Sequence, residues 1–285
     1  MTTAAPAKGN TKGKAKARST TKSSATGVGP LLRGWRERRR VSQLELALRA
    51  DSSARHISFI ETGRARPSEE LVLRLADHLD VPVRDRNSLL LAAGYAPRFR
   101  ETPLEDPAMG TLREGLDQLL TGYEPYPALV VDAAYDVVAA NRGITMLTDG
   151  VADEVLAAPL NAMRLTLHPR GLAPRIRNLR EWRGHLLHQM ERQIALQRSD
   201  ALRAVYDEVA AYPVADPGVD AFDAGTDVPY FALPLRIEHD GQILSFISSI
   251  STFNTPMDVT VAELAIETLL PADPATVKYL QTHMG

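Results

Sequence analysis

Two short helical patterns joined by a polar break are the feature that most constrains this chain. Ser42 can cap a first helix over residues 43 to 50. Asp51-Ser52-Ser53 then interrupts the pattern, because short polar residues favour turns and caps. Ser53 can cap a second helix over residues 54 to 62. The spacing therefore predicts two helices joined by a tight turn. The apolar face of the first would be formed by Leu44, Ala47 and Leu48.

Such a helix pair can place its second helix in the major groove of DNA. The residues that open this helix are small, so its backbone can approach base edges closely. Arg55 is suited to a bidentate hydrogen-bonded contact with the edge of a guanine base. Gln43, at the start of the first helix, can bind phosphate, and Arg64 and Arg66 follow the second helix. The residues thus predict a DNA-reading element.

A family resemblance rests on six dipeptides, which occur without gaps between Leu31 and Leu79. They are Ser42-Gln43, Leu46-Ala47, Ile57-Ser58, Ile60-Glu61, Gly63-Arg64 and Pro67-Ser68. This pattern resembles the Xre-type helix-turn-helix of the phage repressor and Cro superfamily. The resemblance implies that Gln43 contacts phosphate. It also implies that four residues face bases: Ser53, Ala54, Arg55 and Ser58. The alternative is a helical pair that packs only against protein.

Residues 28 to 95 carry five helical patterns, the size of a repressor-like domain. The first, Pro30 to Arg40, is more basic than a solvated face requires, and Arg36 is a candidate phosphate contact. Residues 96 to 122 follow as a proline-rich linker and a helix over Met109 to Leu120. That helix is either a connector or a dimer element.

Charge is distributed unevenly along the 285 residues, although the formal net charge is only -2. Residues 1 to 27 contain six lysines and arginines and no acid, whereas the remainder after the helix-turn-helix is acidic. We expect a disordered tail that either attracts phosphate or only aids solubility. A basic N-terminal part followed by an acidic C-terminal part is typical of a chain that binds nucleic acid through its N-terminal part.

Cysteine is absent and no apolar run approaches the length of a membrane span. The sequence thus excludes disulfides and cysteine metal sites, and we expect a cytoplasmic, nucleoid-associated protein without a signal peptide or membrane partner.

The pattern changes after residue 123 from helices to a mixture of strands and helices. Two β-type runs, 128 to 131 and 135 to 139, predict a hairpin, and Asn141 can cap the next helix. Helical patterns continue to residue 211, with a break at Ser199-Asp200. Three further strands are predicted: Tyr230 to Ile237, Ile243 to Ile250 and Val261 to Leu270. The fold class is thus an all-α five-helix domain followed by an α+β domain with an antiparallel sheet of about five strands.

The segments PALVVDAAYDVVAANR and LHPRGLAPRIRNLREW resemble the MmyB-like ligand-binding domain, which is PAS-like. The resemblance assigns residues 123 to 285 to that domain. It implies a transcription regulator whose second domain holds a small apolar ligand such as a fatty acid.

Apolar side chains and two polar ones are candidates for that ligand site, since such sites are mostly apolar with few polar groups. The apolar candidates are Trp182, Leu186, Met190, Phe231, Leu233, Phe246 and Ile250. The alternative, which we favour for each residue taken singly, is that it is ordinary core. His168 and Arg170 are candidates for a ligand head group, or they form only a helix-ending turn.

Catalytic and metal-binding patterns are weak. His185 and His188 share a helix face with Glu181 nearby, but a metal site needs a further ligand, so we predict no metal and no cofactor. The chain lacks a nucleophile elbow, a phosphate-binding glycine loop and a metalloprotease motif. We therefore predict that the protein is not an enzyme. We expect a homodimeric regulator that binds a double-stranded DNA operator. The alternatives are a second domain that only mediates protein interaction or dimerisation, and a DNA-bound enzyme.

Overall fold

The computed structural model describes residues 27–197, 199–213 and 232–284. Most of the predicted basic tail, and the candidate ligand residue Phe231, lie outside the described residues. The chain divides into two compact units. The first unit extends to Leu79 and includes Leu89–Tyr95, and the second comprises Asp80–Ser88 and the chain from Ala96. One of its boundaries, between Ser88 and Leu89, falls within a helix.

Five helices span residues 28 to 92 in the part of the chain that the structure describes, as predicted. They are α1 (Val28–Arg38), α2 (Gln43–Arg49), α3 (Ala54–Glu61), α4 (Glu69–His78) and α5 (Val83–Ala92). The ends of α1, α2 and α3 lie within two residues of the predicted ones. Three begin at a serine whose hydroxyl accepts a hydrogen bond from the backbone three residues later: Ser42, Ser53 and Ser68. Such caps satisfy N–H groups that have no partner within the helix.

The buried face of α2 differs from the predicted one. Leu46 and Ala47 are buried, whereas Leu44 and Leu48 are 61% and 74% exposed. The helix packs against α3 and α4 through the side that carries residues 46, 47 and 50. Leu44 and Leu48 lie about 160° to 200° around the helix from Leu46, so the prediction for these two leucines was wrong.

The second unit mixes strands and helices. Its helices are α6 (Gly110–Tyr123), α7 (Arg142–Leu147), α8 (Asp153–Leu156), α9 (Ala162–Leu167), α10 (Leu179–Gln197), α11 (Asp200–Ala210), α12 (Val259–Glu263) and α13 (Pro274–Met284). Its strands are β1 (Ala128–Val131), β2 (Val137–Ala140), β3 (Leu235–His239), β4 (Gln242–Thr252) and β5 (Ala265–Pro271). The predicted break of the long helical region is confirmed, and Ser199 caps α11.

The strands form one antiparallel sheet in the order β2-β1-β5-β4-β3, which confirms the predicted fold class. Two strand predictions need correction. Residues 261 to 263 belong to α12, because the Asp258 side chain caps a short helix before β5 begins. The strand predicted from Tyr230 begins at Leu235, and residues 230 and 231 lie outside the described residues.

Both faces of the sheet are covered by helices. On the face that we call the inner face, Leu129, Phe246 and Leu269 pack in one cluster with helical residues that include Trp182 and Met190 of α10. On the opposite, outer face, Val130 and Ile266 pack with Leu116 and Leu120 of α6. Because strand residues alternate between faces, these contacts fix the face of every position on β5.

Asn141 joins three elements of the second unit. Its side-chain oxygen accepts from the Ala128 and Gly143 amides, at 3.0 and 3.1 Å. Its side-chain nitrogen donates to the carbonyls of Leu120 (3.1 Å) and Tyr126 (2.9 Å). The predicted cap of α7 is thereby confirmed, and the same buried side chain also holds α6 to β1.

Candidate DNA-binding surface and ligand-binding domain

The predicted base-contacting residues occupy one side of α3. Ile57 and Ile60 are buried in the helical core, whereas Ser53 and Arg55 are exposed and Ala54 and Ser58 are partly exposed. The small side chains at three of these four positions leave the backbone accessible. The Arg55 guanidinium carbon lies 5.2 Å from the centre of the Phe59 ring, a cation–π distance. This side of α3 presents one long cationic donor among small polar groups.

The Glu61 carboxylate accepts hydrogen bonds from two of the predicted phosphate-contacting residues. The Arg36 guanidinium donates to both Glu61 carboxylate oxygens, at 2.6 and 3.0 Å, and to the Val41 carbonyl. The Gln43 amide nitrogen also donates to Glu61, at 2.7 Å. The side chains of Arg36 and Glu61 are only 12% and 3% exposed. Arg36 therefore acts structurally in this conformation, and its contact with phosphate stays a prediction, as does that of Gln43.

The close approach of α1 to α3 depends on a glycine. A Cβ atom on Gly29 would collide with the backbone carbonyl of Ile60. The short α1–α3 distance is what lets Arg36 reach Glu61. At the C-terminal end of α3, Gly63 has a φ of +73°, which favours glycine, and exposed Arg64 follows it.

The two arginines after α3 have different surroundings. The Arg64 guanidinium carbon lies 5.9 Å from the centre of the Phe59 ring, so Arg55 and Arg64 flank the same ring. Arg66 instead donates hydrogen bonds to the carbonyls of Ala93 and Gly94 and so joins the end of α3 to the end of α5. Arg64 is thus better placed than Arg66 to contact a DNA backbone.

Most of the apolar ligand candidates lie together in the core beneath the inner face. Trp182, Leu186, Met190 and Phe246 are buried in one cluster, and Leu233 packs against it partly buried. Ile250 is 45% exposed.

The two polar candidates lie at the turn after α9. The His168 Nδ1 atom accepts from the Arg170 amide at 3.0 Å, and its ring meets Tyr212 edge-on. Arg170 is exposed and pairs with Glu154. A role for either residue in ligand binding stays a prediction.

A polar group that the sequence analysis did not single out lies inside this cluster. Tyr135 is only 5% exposed, yet its hydroxyl accepts a hydrogen bond from Gln189 (3.1 Å) and donates one to Gln193 (2.8 Å). Burial raises the pKa of Tyr135, and the Gln189 hydrogen bond opposes that rise. The one sequence signal was the i, i+4 spacing of the two glutamines on α10.

His185, His188 and Glu181 are all exposed on α10. In the described ranges, no group of three or more metal-binding side chains comes together. Among the helices of those ranges, none is long and apolar enough to cross a membrane.

Comparisons with known proteins agree with this architecture. A family model described as a helix-turn-helix domain matches residues 28–89. A second model, the MmyB-like transcription regulator ligand binding domain, matches residues 112–282. The chain belongs to this MmyB-like family. It is a DNA-binding transcription regulator with a ligand-binding domain.

The MmyB-like match begins within α6, so this helix belongs with the sheet that it covers. The chain is also similar to the crystal structure of the clp gene regulator ClgR from Corynebacterium glutamicum. That match is 26% identical and covers 34% of this chain and 90% of that one, with a TM-score of 0.21. No curated protein matches the chain.

Proposed function

We propose that this regulator binds, as a homodimer, a double-stranded DNA operator made of two related half-sites. Ser53, Ala54, Arg55 and Ser58 would read base edges in the major groove, and Arg64 and Gln43 would hold the sugar-phosphate backbone. The observation that carries the proposal is the side of α3 that faces away from the core, where small polar residues surround Arg55. Arg36 would support Gln43 through Glu61 and contact phosphate only by leaving that pair.

We also propose that the MmyB-like domain binds a small, mainly apolar molecule, with fatty acids as the first compounds to test. The large apolar cluster under the inner face supports this, because small-molecule sites in proteins are lined mainly by apolar side chains. Binding would change DNA affinity only if the ligand has different affinities for two states of the dimer. A regulator with these partners would act in the cytoplasm, at the nucleoid.

An alternative role for the second domain is dimerisation alone. On the outer face, Ile243 and Leu270 are 45% and 40% exposed, and Leu119 of α6 is also exposed. A second copy of the chain that packed on this face would remove these exposed apolar side chains from water. Both regulator-family matches support a binding role of either kind over catalysis.

Two measurements on the purified full-length protein test the proposal. Selection from random DNA duplexes should yield a palindromic site whose half-sites are about one helical turn apart or a multiple of it. Enrichment of no sequence would contradict specific recognition. Native mass spectrometry followed by denaturing extraction should show a dimer that releases an apolar molecule. A dimer that binds none of a panel of fatty acids and other amphiphiles would favour the dimerisation alternative.

A further inference from the structure

An acidic residue lies on the inner face of the sheet, where the neighbouring positions are apolar. Glu267 is in the middle of β5, directly opposite Leu129 of β1 and Ile250 of β4. Leu129 is part of the cluster under the inner face, so the Glu267 side chain is on that same face. Ile250 is 45% exposed, which leaves this end of the inner face accessible to a molecule from solvent.

The Glu267 carboxylate is hydrogen-bonded on one side. The Ser248 hydroxyl of β4 donates to its Oε1 atom at 2.6 Å. Among the residues that the structure describes, no donor to the second oxygen is found. Glu267 is partly buried, and burial raises the pKa of its carboxyl while the Ser248 hydrogen bond opposes that rise. Its second oxygen is not among the buried atoms without a partner in the described residues, so a donor from water or from a ligand can reach it.

Tyr135 belongs to the same cluster under the inner face and carries a buried hydroxyl. The charge of Glu267 contributes, after burial, to the raised pKa of Tyr135, so the two side chains are within electrostatic reach. Tyr135 uses its hydroxyl hydrogen for Gln193. Its hydroxyl is therefore occupied by the two glutamines of α10, whereas Glu267 and Ser248 form a hydrogen-bonded polar pair on the inner face.

We propose that Glu267, together with Ser248, binds the polar end of the ligand, and that this end is a hydrogen-bond donor without negative charge. A protonated alkyl amine fits best, and an alcohol fits second. An ionised carboxylate fits worst, because like charges at close range disfavour each other's ionised form. This inference rests on the proposed ligand-binding function and narrows its chemistry away from fatty acids.

Three probes with the same ten-carbon chain test this inference on the full-length protein: decylamine, decanol and decanoate. Titration calorimetry near neutral pH, below the micellar concentration of each probe, gives their affinities. We expect decylamine to bind at least about tenfold more tightly than decanoate, because the charge-assisted hydrogen bond to Glu267 forms only with the amine. In Glu267→Gln, the two affinities should differ by less than about threefold, since the neutral amide accepts a weaker bond.

A matched control is Glu114→Gln, which neutralises an exposed carboxylate on α6 of the same unit and should leave the selectivity unchanged. Circular dichroism checks that each variant folds, and the comparison of the three probes with the unmodified protein needs no variant. Decanoate binding as tightly as decylamine would overturn the inference and leave the proposed ligand function intact. Unchanged selectivity in Glu267→Gln would also overturn it. If none of the probes binds, the proposed ligand function itself fails, and this inference fails with it.

Discussion

The Arg36 guanidinium and the Glu61 carboxylate form a bidentate ion pair between α1 and α3, with Nε–Oε1 and Nη2–Oε2 distances of 2.6 and 3.0 Å. Gln43 of α2 donates to the same carboxylate. One buried acid thus fixes three helices of the DNA-binding unit relative to each other. Its hydrogen bond orients Gln43, the residue expected to approach phosphate.

Glu61→Ala should lower the free energy of unfolding by about 3 kcal/mol, because Arg36 would keep a buried charge without a partner. Urea denaturation followed by circular dichroism measures this, and hydrogen exchange locates the loss to α1–α3. The matched control is Glu45→Ala, which removes an exposed pair with Arg49 and should change stability by less than about 1 kcal/mol. Equal losses in both variants would show that the Arg36–Glu61 pair has no special structural role.

Arg55→Ala should weaken binding to the selected operator by about 1–3 kcal/mol and relax the preference at one base pair per half-site. The reason is that Arg55 is the one long cationic side chain among the predicted base contacts, and its position beside Phe59 leaves it exposed. Fluorescence anisotropy with the operator and with single-base variants gives both quantities.

Arg64→Ala is the control for that experiment, since a backbone contact should weaken binding to all sequences alike and reduce its salt dependence. Unchanged specificity in Arg55→Ala would remove Arg55 from the base-reading set. A sequence-selective loss in Arg64→Ala would contradict its assignment to the backbone.

Local signals in the sequence predicted much of this fold, because they act over a few residues. The serine caps at 42, 53 and 68 determine where helices begin, and the continuous apolar run of residues 128 to 131 marks β1. Where two local signals compete, the sequence misleads. Val259, Thr260 and Val261 favour a strand, yet the Asp258 cap makes them helical.

Features that depend on packing could not be predicted from the sequence. Leu44 and Leu48 have helical spacing, but the face that α2 buries is set by α3 and α4. The role of Glu61 requires the α1–α3 contact that Gly29 permits. Glu267 could be recognised as inward-facing only once the register of β5 with β1 was known. In each case the missing information is a neighbour distant in sequence.

Asn141→Ala should lower the free energy of unfolding of the second unit by about 2 kcal/mol or more. The substitution leaves the buried Ala128 amide and the Leu120 carbonyl without their partner and removes the cap of α7. Gln118→Ala, at an exposed position of α6, is the control and should change stability by less than about 0.5 kcal/mol. A loss in Asn141→Ala no larger than this would mean that water replaces the lost hydrogen bonds.

The stability of the second unit should also depend on pH through Glu267. Burial raises the pKa of this carboxyl above the ordinary 4.5, while the Ser248 hydrogen bond opposes the rise. The folded protein therefore holds the proton more tightly than the unfolded chain, so stability falls as pH rises from about 4.5 through the folded-state pKa. In Glu267→Gln this contribution is absent.

The melting temperature of Glu267→Gln should then rise relative to that of the unmodified protein as pH increases above about 4.5, and the difference should level off once the carboxyl is ionised. Tyr135, which is in electrostatic reach, titrates only in a higher range because burial raises its pKa above 10.0. It does not disturb the measurement near neutral pH. Bound decylamine should reduce the difference between the two proteins at neutral pH, since its positive charge stabilises the ionised carboxyl. A difference in melting temperature that is constant with pH would show that Glu267 is neutralised by another group of the protein, and the donor-binding role would lose its physical basis.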